Sequence, residues 1–85
     1  MSKIVVYTKA WCPFCDAAKE LLRKKNAAFD EIPIDGNGEA QRAMAARAQG
    51  RSTVPQIFIG ETHVGGCDDL YGLEQAGRLD SLLSA

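Results

Sequence analysis

An apolar run, Ile4-Val5-Val6-Tyr7, is followed within a few residues by two cysteines in the spacing Cys12-Pro13-Phe14-Cys15, and then by apolar residues at Ala17, Ala18, Leu21 and Leu22. The first run reads as a buried strand, and the spacing from Phe14 onward is that of one helix face. This junction constrains the fold because it puts both thiols at a strand-to-helix turn. Cys12 is placed to cap the helix, and Pro13 fits its first position, where a missing N–H is no loss. Arg23, Lys24, Lys25 and Asn26 bring positive charge and a stop to the far end. Phe29 to Ile34 reads as a second strand, and one intervening helix makes the unit a right-handed parallel βαβ crossover. Pro33 assigns that second strand to a sheet edge.

Turn chemistry at Gly36-Asn37-Gly38 precedes a helix with a weak apolar face, Ala40, Ala43, Met44, Arg47 and Ala48, closing near Gly50. Gln56 to Ile59 and Thr62 to Val64, separated by Gly60-Glu61, read as an antiparallel hairpin. Gly65-Gly66 then leads into a helix starting near Cys67, with Leu70, Leu73, Leu79, Leu82 and Leu83 supplying its buried side and that of a short closing helix. The 85 residues, 46% of them hydrophobic, fit one domain over 1–85 with a small core. A net charge of −1 offers no basic surface for nucleic acid. Met1 through Lys3 lead into only four strongly apolar residues, too few for a secretory h-region or a spanning helix, so the expected compartment is the cytosol and no membrane partner is expected.

In a reducing compartment, three cysteines point to catalysis or redox sensing rather than to a disulfide framework. A thiol at a helix start meets free N–H groups and the positive end of the helix dipole, both of which favour thiolate. In Cys-X-X-Cys sites so placed the thiol pKa falls from about 8.5 to roughly 3.5–7.5, which marks Cys12 as the nucleophile. Lys9 lies three residues upstream and adds positive charge. Cys15, one turn inside the helix, is suited to resolve a mixed disulfide on Cys12. Half of a zinc site is the bland alternative, but it needs four ligands, and Cys67 with His63 lack the paired spacing of a second half, so no metal is expected. Two inert core cysteines are the other.

With these elements in this order, the chain resembles the dithiol glutaredoxins, and among them the bacterial glutaredoxin 3 group. The motifs that carry the resemblance are Tyr7-Thr8-Lys9, Cys12-Pro13-Phe14-Cys15, Thr53-Val54-Pro55-Gln56-Ile57-Phe58-Ile59 and Gly65-Gly66-Cys67-Asp68-Asp69-Leu70. They span nearly the whole chain. The resemblance implies a thioredoxin-like α/β fold: a four-stranded mixed sheet, built from the βαβ unit, the hairpin and a C-terminal helix, flanked by helices. Phe14 departs from the tyrosine of many dithiol members; it keeps an aromatic wall and lacks the hydroxyl.

The resemblance also implies glutathione as reductant and co-substrate, with glutathionylated or disulfide-containing proteins as partners and a monomeric enzyme. The implied glutathione site comprises Lys9, Phe14, Thr53, Val54, Pro55, Cys67, Asp68 and Asp69. A cis Val54-Pro55 bond would expose the Val54 backbone to the ligand's cysteine, with Thr53 flanking that edge. The helix start at Cys67 and Asp68 would offer N–H groups to the γ-glutamyl carboxylate, Asp68 or Asp69 would meet the ammonium, and Lys9 the glycine carboxylate. Each residue has a plainer reading: the aspartates as helix-start residues, Thr53 as a turn residue, Lys9 as a solvated charge, Pro55 as loop punctuation and Cys67 as a small packing residue or a regulatory thiol. Trp11 is expected to shield the rim. In the implied chemistry Cys12 removes glutathione from proteins by itself, and Cys12 with Cys15 reduces protein disulfides. A bridged iron-sulfur dimer is the rival reading; Pro13 and the second thiol at Cys15 weigh against it, since carriers of this kind typically show Cys-Gly-Phe-Ser.

Overall fold

The expected first strand forms as β1 (Ile4–Thr8), buried along its whole length, in a computed structural model that describes residues 3–85. The reading of a leader-free start falls partly on Met1 and Ser2, which lie outside the described residues. Helix α1 (Pro13–Lys24) follows β1 and returns the chain to β2 (Asp30–Pro33), which pairs parallel with β1. Helix α2 (Gly38–Arg47) leads to the hairpin of β3 (Gln56–Ile59) and β4 (Thr62–Gly65), and α3 (Cys67–Gln75) and α4 (Leu79–Ser84) close the chain. The sheet order is β2-β1-β3-β4, with β1 against β3 and β3 against β4 antiparallel. Pro33 therefore lies on an edge strand, where its missing N–H leaves no ladder bond unmade.

Side chains alternate across a strand, so the central strands feed two cores. Ile4, Val6, Ile57 and Ile59 pack with Ala18, Leu21 and Leu22 of α1, Leu70 of α3 and Leu79 of α4. Val5, Tyr7 and Phe58 face the other way, onto Ile34 and onto Met44 and Ala48 at the end of α2. Burial on both faces explains why β1 reads as a continuous apolar run rather than an alternating one.

Three local readings are corrected. Strand β2 spans Asp30–Pro33 rather than Phe29 to Ile34: Phe29 packs against the α1-side core under the Arg23 guanidinium, and Ile34, though its N–H still bonds the Thr8 carbonyl at 2.9 Å, turns down onto Met44. Helix α2 begins at Gly38, two residues ahead of its apolar face, because the Asn37 side chain caps it by accepting from the Ala40 N–H at 3.0 Å. Within that face Ala43 and Arg47 are exposed; the Arg47 guanidinium lies over the Phe58 ring, 4.1 Å from its centroid. At the end of α1, Lys25 does more than complement the dipole. Its ammonium meets Glu74 at 2.8 Å and Asp80 at 2.9 Å, tying α1 to α3 and α4, and those two bonds, Glu74 first, raise its pKa. Among the described residues no helix is long and apolar enough to cross a membrane.

Candidate active site

Cys12 has extended backbone angles and is the N-cap of α1, with Pro13 at the first helical position. The two thiols form a disulfide across Cα atoms 5.2 Å apart, and the Cys15 N–H donates to Cys12 Sγ at 3.1 Å. That bond is the capping contact a helix start requires, supplied here by sulfur. Cys15 is only 1% exposed, whereas Cys12 is half-buried at the loop edge. Access therefore separates the two sulfurs.

The loop that delivers Cys12 is fastened at both ends of β2. Ala10 donates its N–H to both carboxylate oxygens of Asp35, at 3.0 and 3.2 Å. Thr8, buried at the end of β1, donates to Glu31 Oε2 at 2.7 Å, and Lys19 meets the same oxygen at 3.0 Å. The Thr8 hydroxyl, then Lys19, hold the Glu31 carboxyl below its ordinary range.

Opposite this loop the chain enters β3 through a cis Val54-Pro55 bond. Gln56, with no exposed surface, donates through Nε2 to Thr53 Oγ1 at 3.2 Å, and its Oε1 meets His63 Nε2 at 2.8 Å. His63, weighed in the sequence as a metal ligand, thus lies half-buried, stacked on Phe58 with ring centroids 4.9 Å apart. A third wall is the start of α3. Gly65 takes φ +112°, a conformation closed to L side chains, and a Cβ there would also meet Asp69 and Arg51. Gly66 caps α3, its N–H donating to Asp69 Oδ2 at 2.9 Å; Arg51 reaches the same oxygen at 3.5 Å. The Asp68 carboxylate has no hydrogen-bond or ion-pair partner among the described residues. Burial, followed by the nearby Asp68 charge, pushes the Cys67 thiol pKa up.

These walls enclose an open cavity of about 330 Å³ lined by Phe14, Arg51, Thr53, Val54, Pro55, Gly66, Cys67, Asp68 and Asp69. Seven of the eight residues expected around a ligand are thereby gathered. Lys9, exposed on the loop before Cys12, does not line the cavity. Trp11 does not line it either: the residue is 99% exposed, so it shields no rim. Two lining residues lie outside the expected set: Gly66, which the sequence offered only as part of the Gly65-Gly66 motif, and Arg51, which sequence reasoning missed. Arg51 belongs to no motif, and the carboxylate that orients it stands 18 positions away.

A family model described as Glutaredoxin matches residues 4–64. The chain is 61% identical over 85 residues to a glutaredoxin of Pseudomonas aeruginosa, spanning 100% of both chains. It is 53% identical over 83 residues to glutaredoxin 3 of Escherichia coli K12, covering 98% of this chain and 99% of that one. Among solved structures it matches the crystal structure of a buckwheat glutaredoxin-glutathione complex with TM-score 0.86 and 33% identity, over 98% of this chain and 77% of the other.

Proposed function

The chain belongs to the glutaredoxin family and is a thiol-disulfide oxidoreductase with Cys12 and Cys15 as its dithiol; from that premise we propose that glutathione is its reductant and occupies the cavity beside Cys12. The observation that carries this reading is the convergence on one cavity of Phe14, two residues beyond Cys12 in the first turn of α1, the Thr53-Val54-Pro55 edge and the α3 start; Cys12 itself adjoins the lining through Phe14 rather than forming part of it. The similar buckwheat protein, solved as a glutathione complex, supports it.

Glutathione brings two carboxylates, one ammonium and a peptide backbone. Phe14 supplies an apolar wall, and the Val54 backbone, flanked by Thr53 and turned by Pro55, pairs with the ligand's cysteine as an added strand would. The free N–H groups at the start of α3, at Cys67 and Asp68, receive the γ-glutamyl carboxylate. Of the two aspartates, Asp69 is already committed to Gly66 and Arg51, so Asp68 takes the ammonium. Arg51 adds a guanidinium for a ligand carboxylate, and Lys9, outside the cavity lining, supplies long-range charge to the glycine end.

In the reaction Cys12 thiolate attacks the glutathione sulfur of a protein-glutathione mixed disulfide. The old S–S bond breaks, its electron pair leaves on the protein sulfur, and Cys12 carries the glutathione. That mixed disulfide is cleaved by a second glutathione thiolate, giving oxidised glutathione and free Cys12. With a protein disulfide, Cys12 forms the mixed disulfide and Cys15 displaces the substrate, leaving the Cys12–Cys15 bond seen here for two glutathiones to reduce. The expected setting is a reducing cytosol, with the enzyme acting as a monomer.

NADPH consumption, coupled through glutathione reductase with a glutathionylated protein as substrate, tests the reading. Turnover well above the blank is expected, and Cys15→Ser retains it while losing reduction of protein disulfides. A rate at the blank, with the dithiol shown to be reduced, contradicts glutathione as the reductant.

A further inference from the structure

Trp11 breaks two local rules at once, next to the nucleophile. It is a large apolar side chain left 99% exposed, and its backbone takes φ +57°. Bulky L residues are strongly disfavoured there, and glycine would be the relaxed choice. Asn26 and Gln49, the other non-glycine residues with positive φ, sit just past the ends of α1 and α2, where a left-handed residue commonly terminates a helix. Trp11 terminates nothing. Its ring makes none of the aromatic or cation–π contacts found among the described residues, and it lines no part of the glutathione cavity. Pro13 and Phe14 are exposed as well, so apolar surface borders Cys12 on both sides. Where strain and exposure coincide beside a reacting atom, a functional reason is the physical inference.

We propose that Trp11 is the docking contact for polypeptide substrates, packing on apolar side chains that flank the substrate cysteine while that cysteine is joined to Cys12. The covalent intermediate itself commits the occupant. A disulfide holds its two Cα atoms about 4.4–6.8 Å apart, and Trp11 Cα is about 3.8 Å from Cys12 Cα. Any chain bonded to Cys12 therefore starts within about 11 Å of Trp11 Cα, inside reach of an outward indole and a facing side chain. Tryptophan is, with tyrosine and arginine, among the residues enriched at the few positions that carry most of the energy of association. A small thiol carries no chain to lay across the ring and gains nothing from it.

The test is run on the full-length Cys15→Ser protein, in which the mixed disulfide accumulates, without glutathione, so its outcome is separable from the glutathione reading. Two peptides differ only in carrying Leu or Ser on either side of one cysteine activated as its thionitrobenzoate disulfide. Cys12 thiolate attacks the peptide sulfur, the peptide–thionitrobenzoate S–S bond breaks, and the electron pair leaves on the coloured thionitrobenzoate anion. The 2-mercaptoethanol–thionitrobenzoate disulfide serves as the small probe.

With Trp11 present, the Leu peptide is expected to react about tenfold faster than the Ser peptide. Adding Trp11→Gly brings that ratio close to one and leaves the small probe within about twofold, while Trp11→Phe keeps most of the preference. The chain has a single tryptophan, so its emission maximum moves to the blue when the Leu peptide is attached. The melting temperature of Trp11→Gly stays level or rises, because a strained position is relaxed. A ratio near one with Trp11 in place, a preference that survives Trp11→Gly, an equal loss on all three probes, or a fall in melting temperature would each overturn the proposal.

Discussion

Helices α1 and α3 both start at a cysteine: Cys12 caps the first, and Cys67 is the first residue of the second. Both thiols meet the positive end of a helix dipole, yet their surroundings are opposite. Cys12 is half-exposed, follows a loop held by Asp35 and precedes a proline. Cys67 is 7% exposed, belongs to the core beside Leu70 and Ile57, and precedes a free carboxylate, Asp68, so its pKa rises despite the dipole. Desolvation and a neighbouring anion outweigh the helix terminus there. A helix start makes a cysteine reactive only where solvent and substrate can reach it. In the glutathione site proposed above, the same N-terminal N–H groups at α3 serve a ligand carboxylate instead.

The sharpest way to break this contrast is Cys12→Ser, which should lower thiol-disulfide exchange by at least about a thousandfold, as loss of a covalent nucleophile does. Steady-state turnover with a glutathionylated protein measures it, and substantial residual activity from Cys67 would erase the distinction. Next is Gly65→Ala, which forces a side chain into φ +112° and against the Arg51–Asp69 pair. We expect a loss of about 2 kcal/mol, hence a fall in melting temperature on the order of 10 °C, together with weaker glutathione binding. Asp68→Asn should raise the KM for glutathione about tenfold with little change in melting temperature, since Asp68 braces nothing. Asp69→Asn should lower both stability and affinity, because it loosens Gly66 and Arg51. Steady-state kinetics paired with thermal melts separate the two.

The smallest effect belongs to Cys67→Ala, with activity within about twofold of the parent because the thiol is packing. Its pH signature follows from the raised pKa. The folded thiol ionises at higher pH than the unfolded one, so this contribution to stability is whole below the ordinary thiol pKa of about 8.5 and shrinks as pH rises through the folded pKa. Melting curves from pH 8 to 10 should show a decline that Cys67→Ala lessens; an unchanged decline assigns it to another group. Lys25, whose raised pKa starts from 10.5, loses its own contribution only at higher pH.

Most of the scaffold was legible because its signals are local. Cys12, Pro13 and the Ala17–Leu22 spacing specify where α1 starts and which face it buries, and Gly60-Glu61 marks the hairpin turn. The cavity lining was legible largely as a family pattern, since nothing in the linear order of Phe14, Thr53 and Asp68 says that they converge. What could not be read is what depends on partners distant in the chain. Arg51 enters the cavity through Asp69, His63 is held by Gln56, and Lys25 is shared by Glu74 and Asp80. Trp11 escaped for another reason: residue type alone argues against both its full exposure and its left-handed backbone.

The central claim is that position at an accessible helix start, rather than the presence of a thiol, selects the nucleophile. Brief alkylation of the fully reduced protein with iodoacetamide at pH 7, read by peptide mass spectrometry, tests it most directly. Cys12 should be labelled at least about a hundredfold faster than Cys67, with Cys15 protected by burial. Comparable labelling of Cys12 and Cys67, or earlier labelling of Cys67, would contradict the account.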